Sequence, residues 1–177
     1  MLGPRPRILF VGINPSLRSA QVGHHYAGPG NPFWRLLFAS GLTKALLRPD
    51  QDCQMAGLGY ALTNLCARPT RSADQLRPAE LRAGARALAE KIARLQPAVV
   101  AFVGLSVFQR FFGLKQSGGA GEKPQLVAGA RTFALPNPSG LNASYPGFAD
   151  KLVWFCALRD FASPDEQPTR ARAPRSG

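Results

Sequence analysis

The sequence predicts an α/β fold, a three-layer sandwich whose central, mostly parallel four-stranded sheet is flanked by helices. Three observations predict it. Four short apolar runs bounded by Gly, Pro or polar residues have the composition of strands buried on both faces. They alternate with stretches of helical periodicity, the order that builds a parallel sheet covered on both sides. The polar, chemistry-bearing segments each follow a strand, and ligands of such sheets sit beyond the carboxyl ends of strands, so one rim should gather them.

The strands are predicted over residues 8–11, 60–65, 98–103 and 132–135. A helix over 32–40 places Phe33, Leu36 and Leu37 on one face and closes at Gly41. The clearest helix covers 79–95, where Leu81, Ala85, Leu88, Ile92 and Leu95 form one stripe and Glu80, Arg82, Arg86 and Arg94 take the other sides. Helices are also predicted over 106–112 and 146–161. The Gly-rich segment 115–125 reads as a mobile loop. Residues 1–162 form a single domain in this reading, and 163–177, rich in Pro, Arg and Ser without apolar periodicity, read as a disordered basic tail.

With 177 residues and 45% hydrophobic content, the chain can bury a proper core. Lys and Arg number 22 against 10 acids, a net charge of +12 that points to a polyanionic partner, because neutralising phosphates releases counterions. Cys53, Cys66 and Cys156 are scattered with no metal-ligand spacing, so no metal and no cofactor are expected. Such cysteines fit reduced thiols in a cytoplasmic protein, and neither a signal peptide nor a membrane span is expected.

Two stretches carry the chemistry. GINPS, residues 12–16, follows the first strand, and GHHYAGPGNPFW, residues 23–34, comes soon after. Asn14 reads either as a turn residue capping backbone or as a chemical group. No phosphate-binding glycine fingerprint follows any strand. Residues 134–146, ALPNPSGLNASYP, form turn chemistry with Leu141 at the tip, either folded back on the domain or serving as a wedge between base steps. Acids are few. Asp74 lies in a polar loop at the same rim, as a base that activates water, a cap of the following helix, or a partner of Arg71 or Arg77. His24 and His25 are the other titratable candidates, favoured for loop shaping or phosphate contact over proton transfer.

GINPSLRSAQVGHHYAGPGNPFWRLL together with LPNPSGLNAS resembles the mismatch-specific uracil/thymine-DNA glycosylases, the second family of uracil-DNA glycosylases, over residues 8–161. The resemblance implies that Asn14 positions an attacking water, that Ile13 lines the pocket with its backbone polar groups, and that Tyr26 stacks on a flipped base. It puts Ser19 near the pyrimidine C5 edge, while Asn31 and Trp34 shape the pocket. Asn137, Pro138, Ser139, Gly140 and Leu141 match a minor-groove loop with Leu141 as wedge. The implied protein is a monomeric, monofunctional base-excision-repair glycosylase acting without a cofactor on double-stranded DNA, removing uracil mainly from G·U pairs and thymine weakly or not at all. Departures are Ser16 where the family usually has Gly, Ala143 where a relative has Arg, and Leu105 where Gly-Lys is common; these predict weaker mismatch reading. Rival readings are a DNA-binding module that holds uracil or mismatches without cutting, a single-strand-preferring uracil glycosylase, and a doubly wound enzyme for a small phosphorylated metabolite.

Overall fold

The computed structural model describes residues 5–139 and 144–163. Its sheet holds β1 (Ile8–Gly12), β2 (Tyr60–Asn64), β3 (Val99–Val103), β4 (Gly121–Val127) and β5 (Ala130–Leu135), in the order β2-β1-β3-β5-β4. The β1–β2, β1–β3 and β3–β5 pairs are parallel. The predicted mostly parallel, helix-flanked sheet is therefore present, with five strands rather than four. The extra one, β4, occupies part of the segment expected to be a mobile loop and pairs antiparallel with β5. Its alternating burial is an ordinary period-two pattern, but Gly121 and Pro124 mask it in sequence. Pro124 is tolerable because β4 is an edge strand. The two-residue turn to β5 uses Ala128 and Gly129 at φ 48° and 81°, the positive pair that matches strand twist in a tight hairpin.

Helices α1 (Leu17–Val22), α2 (Phe33–Ala39), α3 (Pro78–Leu95), α4 (Leu105–Phe112) and α5 (Phe148–Phe161) surround the sheet, with 3₁₀ segments at Pro49–Leu58 and Ala73–Gln75. Alternate strand residues face opposite layers. Ile8, Phe10, Ala101 and Phe133 pack with Phe33, Leu37, Phe155 and Leu158 of α2 and α5. Leu9, Val11, Phe102 and Ala134 pack instead with Leu88, Ile92, Val107 and Phe108 of α3 and α4. The short α1 and the Pro49–Leu58 segment lack the apolar periodicity that would announce them in sequence. Residues 164–177, which hold nearly all of the predicted tail, lie outside the described residues.

Strand register brings the rim together. Gly12 pairs with Asn64 at the carboxyl ends of β1 and β2, and Val103 with Leu135 at those of β3 and β5. The four parallel strands thus end together at one edge. Among the described residues, no helix is long and apolar enough to cross a membrane.

The amphipathic α3 presses against the end of β2 through Gly84, where an added Cβ would meet the Leu65 carbonyl oxygen at 2.2 Å. Gly84→Ala should therefore destabilise the fold by about 1–3 kcal/mol through overpacking, even though Ala is the better helix former by ~1 kcal/mol. Urea unfolding of the variant should show a lower midpoint.

Candidate functional site

A cavity of about 340 Å³ opens at the carboxyl edge of the sheet. Gly12, Ile13 and Asn14 line it from the end of β1, Asn64 from β2, Val103 from β3, Ser106 from α4, and Asn137 and Ser139 from the segment after β5. Ser19, His24, His25, Tyr26 and Asn31 complete much of the wall. The predicted common rim is a real concavity within the size range of small-ligand sites.

Asn14 is oriented by the chain that follows β2. The parallel pairing of the two strands continues past their ends: Leu65 N donates to Gly12 O, Cys66 N to Ile13 O, and Thr70 N to Pro15 O. This brings Asn14 Nδ2 to 2.8 Å from the Arg68 carbonyl oxygen and 2.7 Å from Thr70 Oγ1. The Thr70 hydroxyl gives its own hydrogen to Ser72 O at 2.8 Å, so it can only accept from Asn14. Two acceptors therefore settle which end of the amide carries nitrogen. Both amide hydrogens are engaged, and Oδ1 remains as an acceptor for a donor in the cavity.

Arg68 in turn is clamped from its other end. Its Nε and Nη2 reach Glu80 Oε1 and Oε2 at 2.6 and 3.0 Å, and Nη2 also donates to Gln75 O. Glu80 additionally accepts from Arg77 N at the start of α3. These two donors, Arg68 foremost, hold the Glu80 carboxyl down at about 2.

Tyr26 builds the opposite wall. Its ring stacks on Phe33 with centroids 3.8 Å apart and planes inclined by 21°. Its backbone sits at φ 52°, a strained setting for an aromatic residue. The phenol oxygen is buried without a hydrogen-bond partner among the described residues, and burial pushes its pKa far up. It lies beside Gly12, where an added Cβ would stand 3.0 Å from Tyr26 Oη and 2.5 Å from Asn64 Oδ1. Two uncharged polar groups thus converge on Gly12, in space that only a glycine leaves for them. Asn64 escaped the sequence reading, although a second strand ending on Asn at the rim was the available signal.

Other predicted residues brace this frame. Ser19 is buried and lines the cavity; its Oγ accepts from Ala27 N at 3.0 Å and lies 3.1 Å from Ser16 Oγ. Ser16 is extended (φ −66°) and caps α1 by accepting from Ser19 N, so this turn does not need a glycine there. Asn31 Oδ1 accepts from Phe33 N, starting α2. Trp34 is buried against Phe33 and is not part of the cavity wall. Asn137 Oδ1 accepts from Ser139 N, while Pro138, buried behind them, offers its carbonyl to the buried Lys151 ammonium at 3.0 Å. Gly140 and Leu141, with Ala143, lie outside the described residues. Leu105, which replaces the Gly-Lys common in the resembling family, begins α4.

Asp74 is not brought into the cavity. It is exposed, and its carboxylate accepts from Ser72 Oγ at 3.1 Å within the Ala73–Gln75 turn, while Ala73 supplies the lining. Among the described residues, neither a cap on α3 nor an ion pair with Arg71 or Arg77 forms; Glu80 takes the capping role. Among the described residues no group of three or more His, Cys, Asp or Glu is placed to hold a metal ion.

A comparison with protein families matches the chain to the Uracil DNA glycosylase superfamily over residues 1–159.

The carboxyl of Glu80 has its pKa depressed in the folded chain, so the Arg68 clamp stabilises fully above the ordinary carboxylate value and is lost as pH falls through about 2. Carboxyl-detected NMR titration should give Glu80 a midpoint near 2, well below the ~4.3 of a free glutamate.

Proposed function

The chain belongs to the uracil DNA glycosylase superfamily, DNA glycosylases that act in base excision repair on DNA containing uracil, and we propose that it is a monofunctional, mismatch-directed member working as a cytoplasmic monomer on double-stranded DNA. The observation that carries the proposal is the fixed polarity of Asn14. An amide whose nitrogen is engaged by Arg68 O and Thr70 Oγ1 offers its oxygen to a water in a cavity of about 340 Å³.

In this reading an extruded uracil enters the cavity beside Tyr26, Ile13 and Asn14. Stacking of Tyr26 on Phe33 leaves one ring face for the base. The Asn64 amide, part of the cavity wall, meets its polar edge. The water held by Asn14 attacks the sugar C1′, the C1′–N1 bond breaks with its electron pair leaving on the base, and the proton of the water passes to solvent. Asn14 is too weak a base to take that proton; its contribution is placement. Uracil is a tolerable anionic leaving group, and backbone N–H groups near Ile13 stabilise it as an oxyanion hole does. Among the described residues no lysine lines the cavity, which favours water over an amine nucleophile and hence simple hydrolysis. Asp74 is given no contact with the sugar. Asn137 and Ser139, at the edge of the cavity, lead in sequence to Gly140 and Leu141, to which the family resemblance gives the minor-groove contact and wedge.

Single-turnover assays on a G·U duplex test this directly. Asn14→Ala should lower the rate about 100-fold or more, with abasic product as the readout, while Asp74→Asn should stay within about twofold of the parent. An Asn14→Ala protein that cuts at the parental rate ends the proposal.

Ser19 sets the size of the cavity near the C5 edge in this reading. Ser19→Ala makes room for a methyl group while loosening the Ala27 brace. Both rates should fall, yet the thymine-to-uracil ratio measured on G·T and G·U duplexes should rise by up to ~10-fold, the scale of one-methyl discrimination.

A further inference from the structure

One carboxylate that no motif announces grips the His24–His25 wall from behind. Asp52 lies in the Pro49–Leu58 segment, 28 residues from His24, with its side chain only 16% exposed. One oxygen stands 3.2 Å from His24 Nδ1, and the other accepts from the His25 backbone N–H at 3.0 Å. The other ion pairs among the described residues each join an acid to an arginine: Asp50 to Arg48, Glu80 to Arg68, Asp160 to Arg159. Asp52 instead faces a histidine ring and a peptide group at the cavity wall.

This arrangement divides the two histidines. With Nδ1 turned to Asp52, His24 donates a ring hydrogen there and has Nε2 as its remaining polar edge, on a ring that lines the cavity. His25 is met through its backbone. Burial lowers the pKa of its ring, Lys91 and His24 act in the same direction, and Asp52 opposes them. Lys91 is itself anchored on Thr63 Oγ1, and the nearby Asp50 is engaged by Arg48. The carboxylate thus bears on His24 with no competing cation in contact among the described residues.

We propose that Asp52 is a positioning residue for His24, holding the ring so that, as an imidazolium with one hydrogen on each nitrogen, it donates Nδ1–H to Asp52 and Nε2–H to an anionic oxygen of the extruded nucleotide. The proposal rests on the glycosylase reading and deepens it. That oxygen belongs either to a phosphate flanking the nucleotide or to the departing pyrimidine, and the two leave different signatures. A flanking phosphate is present before the bond breaks, whereas the anionic base exists only as it breaks.

The test compares the parent with Asp52→Ala, Asp52→Asn, His24→Ala and the Asp52→Ala/His24→Ala double variant. Each is measured for affinity to a duplex holding 2′-fluoro-2′-deoxyuridine, whose glycosidic bond resists hydrolysis, and for single-turnover cleavage of the deoxyuridine duplex. Asp52→Ala should lose about 10-fold. Loss in affinity assigns the phosphate; loss in rate at unchanged affinity assigns the departing base. The double variant should be no worse than His24→Ala alone, because Asp52 acts through that ring. Asp52→Asn keeps an acceptor for the His25 N–H and should restore the melting temperature without restoring the full function. Parental affinity and rate in Asp52→Ala, additive losses in the double variant, or full recovery in Asp52→Asn would each overturn the proposal. A parent that binds the fluorinated duplex but yields no abasic product from the deoxyuridine duplex overturns the glycosylase reading instead, and the affinity cycle still decides the Asp52–His24 coupling.

Discussion

Everything at the cavity hangs on two strands continuing to pair after they have ended. The β1–β2 ladder runs on through Leu65, Cys66 and Thr70 to Gly12, Ile13 and Pro15, and only this continuation sets the Arg68 carbonyl and Thr70 hydroxyl against Asn14. A primary amide on a free loop presents either end to a ligand and turns between them. Here the acceptors on one side make the flipped state lose two hydrogen bonds and oppose like poles, so the oxygen is the end left for a ligand. Net contributions of about 1 kcal/mol per bond are enough to hold one orientation in large excess. The sheet therefore supplies a direction for a hydrogen bond as well as a location.

The neighbouring wall obtains its rigidity differently. Tyr26 occupies a left-handed backbone setting whose strain is of order 1–3 kcal/mol, and its hydroxyl is buried without a partner among the described residues. Such a conformation persists only where the surroundings over-determine it. The Phe33 stack on one side, the Ser19 bond to the next amide, and the Asp52 grip on the residues before it do so. Backbone strain and an unmet polar group at one residue cluster at functional sites, where the surrounding structure holds a conformation the residue alone would leave.

The fold was legible because buried strands such as ILFV and the stripe on α3 advertise themselves by composition and period. β4 was not, because Gly121 and Pro124 carry the signature of a loop and only pairing with β5 makes them an edge strand. At the site, Asn14, Ser19 and Tyr26 could be found from motifs lying close together in the chain. Thr70 and Asp52 could not, since their relevance comes from contacts 56 and 28 residues apart, and Asn64 announced itself only by ending a strand at the rim. Asp74 shows the converse: a carboxylate near the rim in sequence is a poor predictor of a carboxylate in the cavity, because one turn of 3₁₀ backbone turns it to solvent and leaves Ala73 inside.

The scarcity of acid inside the cavity has its own logic. Hydrolysis of a glycosidic bond with an anionic leaving group builds positive character on the sugar and negative charge on the base at the same moment. A carboxylate beside the sugar would favour the first and, a few ångströms away, oppose the second. It would also repel the phosphates that must approach a chain of net charge +12. In the proposed reading Asn14 avoids both effects: it orders a water by dipole alone and leaves the field at the leaving group to the N–H donors. Placing a largely buried carboxylate, Asp52, on the far side of a histidine ring keeps its charge out of the cavity while its geometric grip is retained. A basic protein acting on a polyanion is thereby able to have a charge-neutral floor under a reacting base.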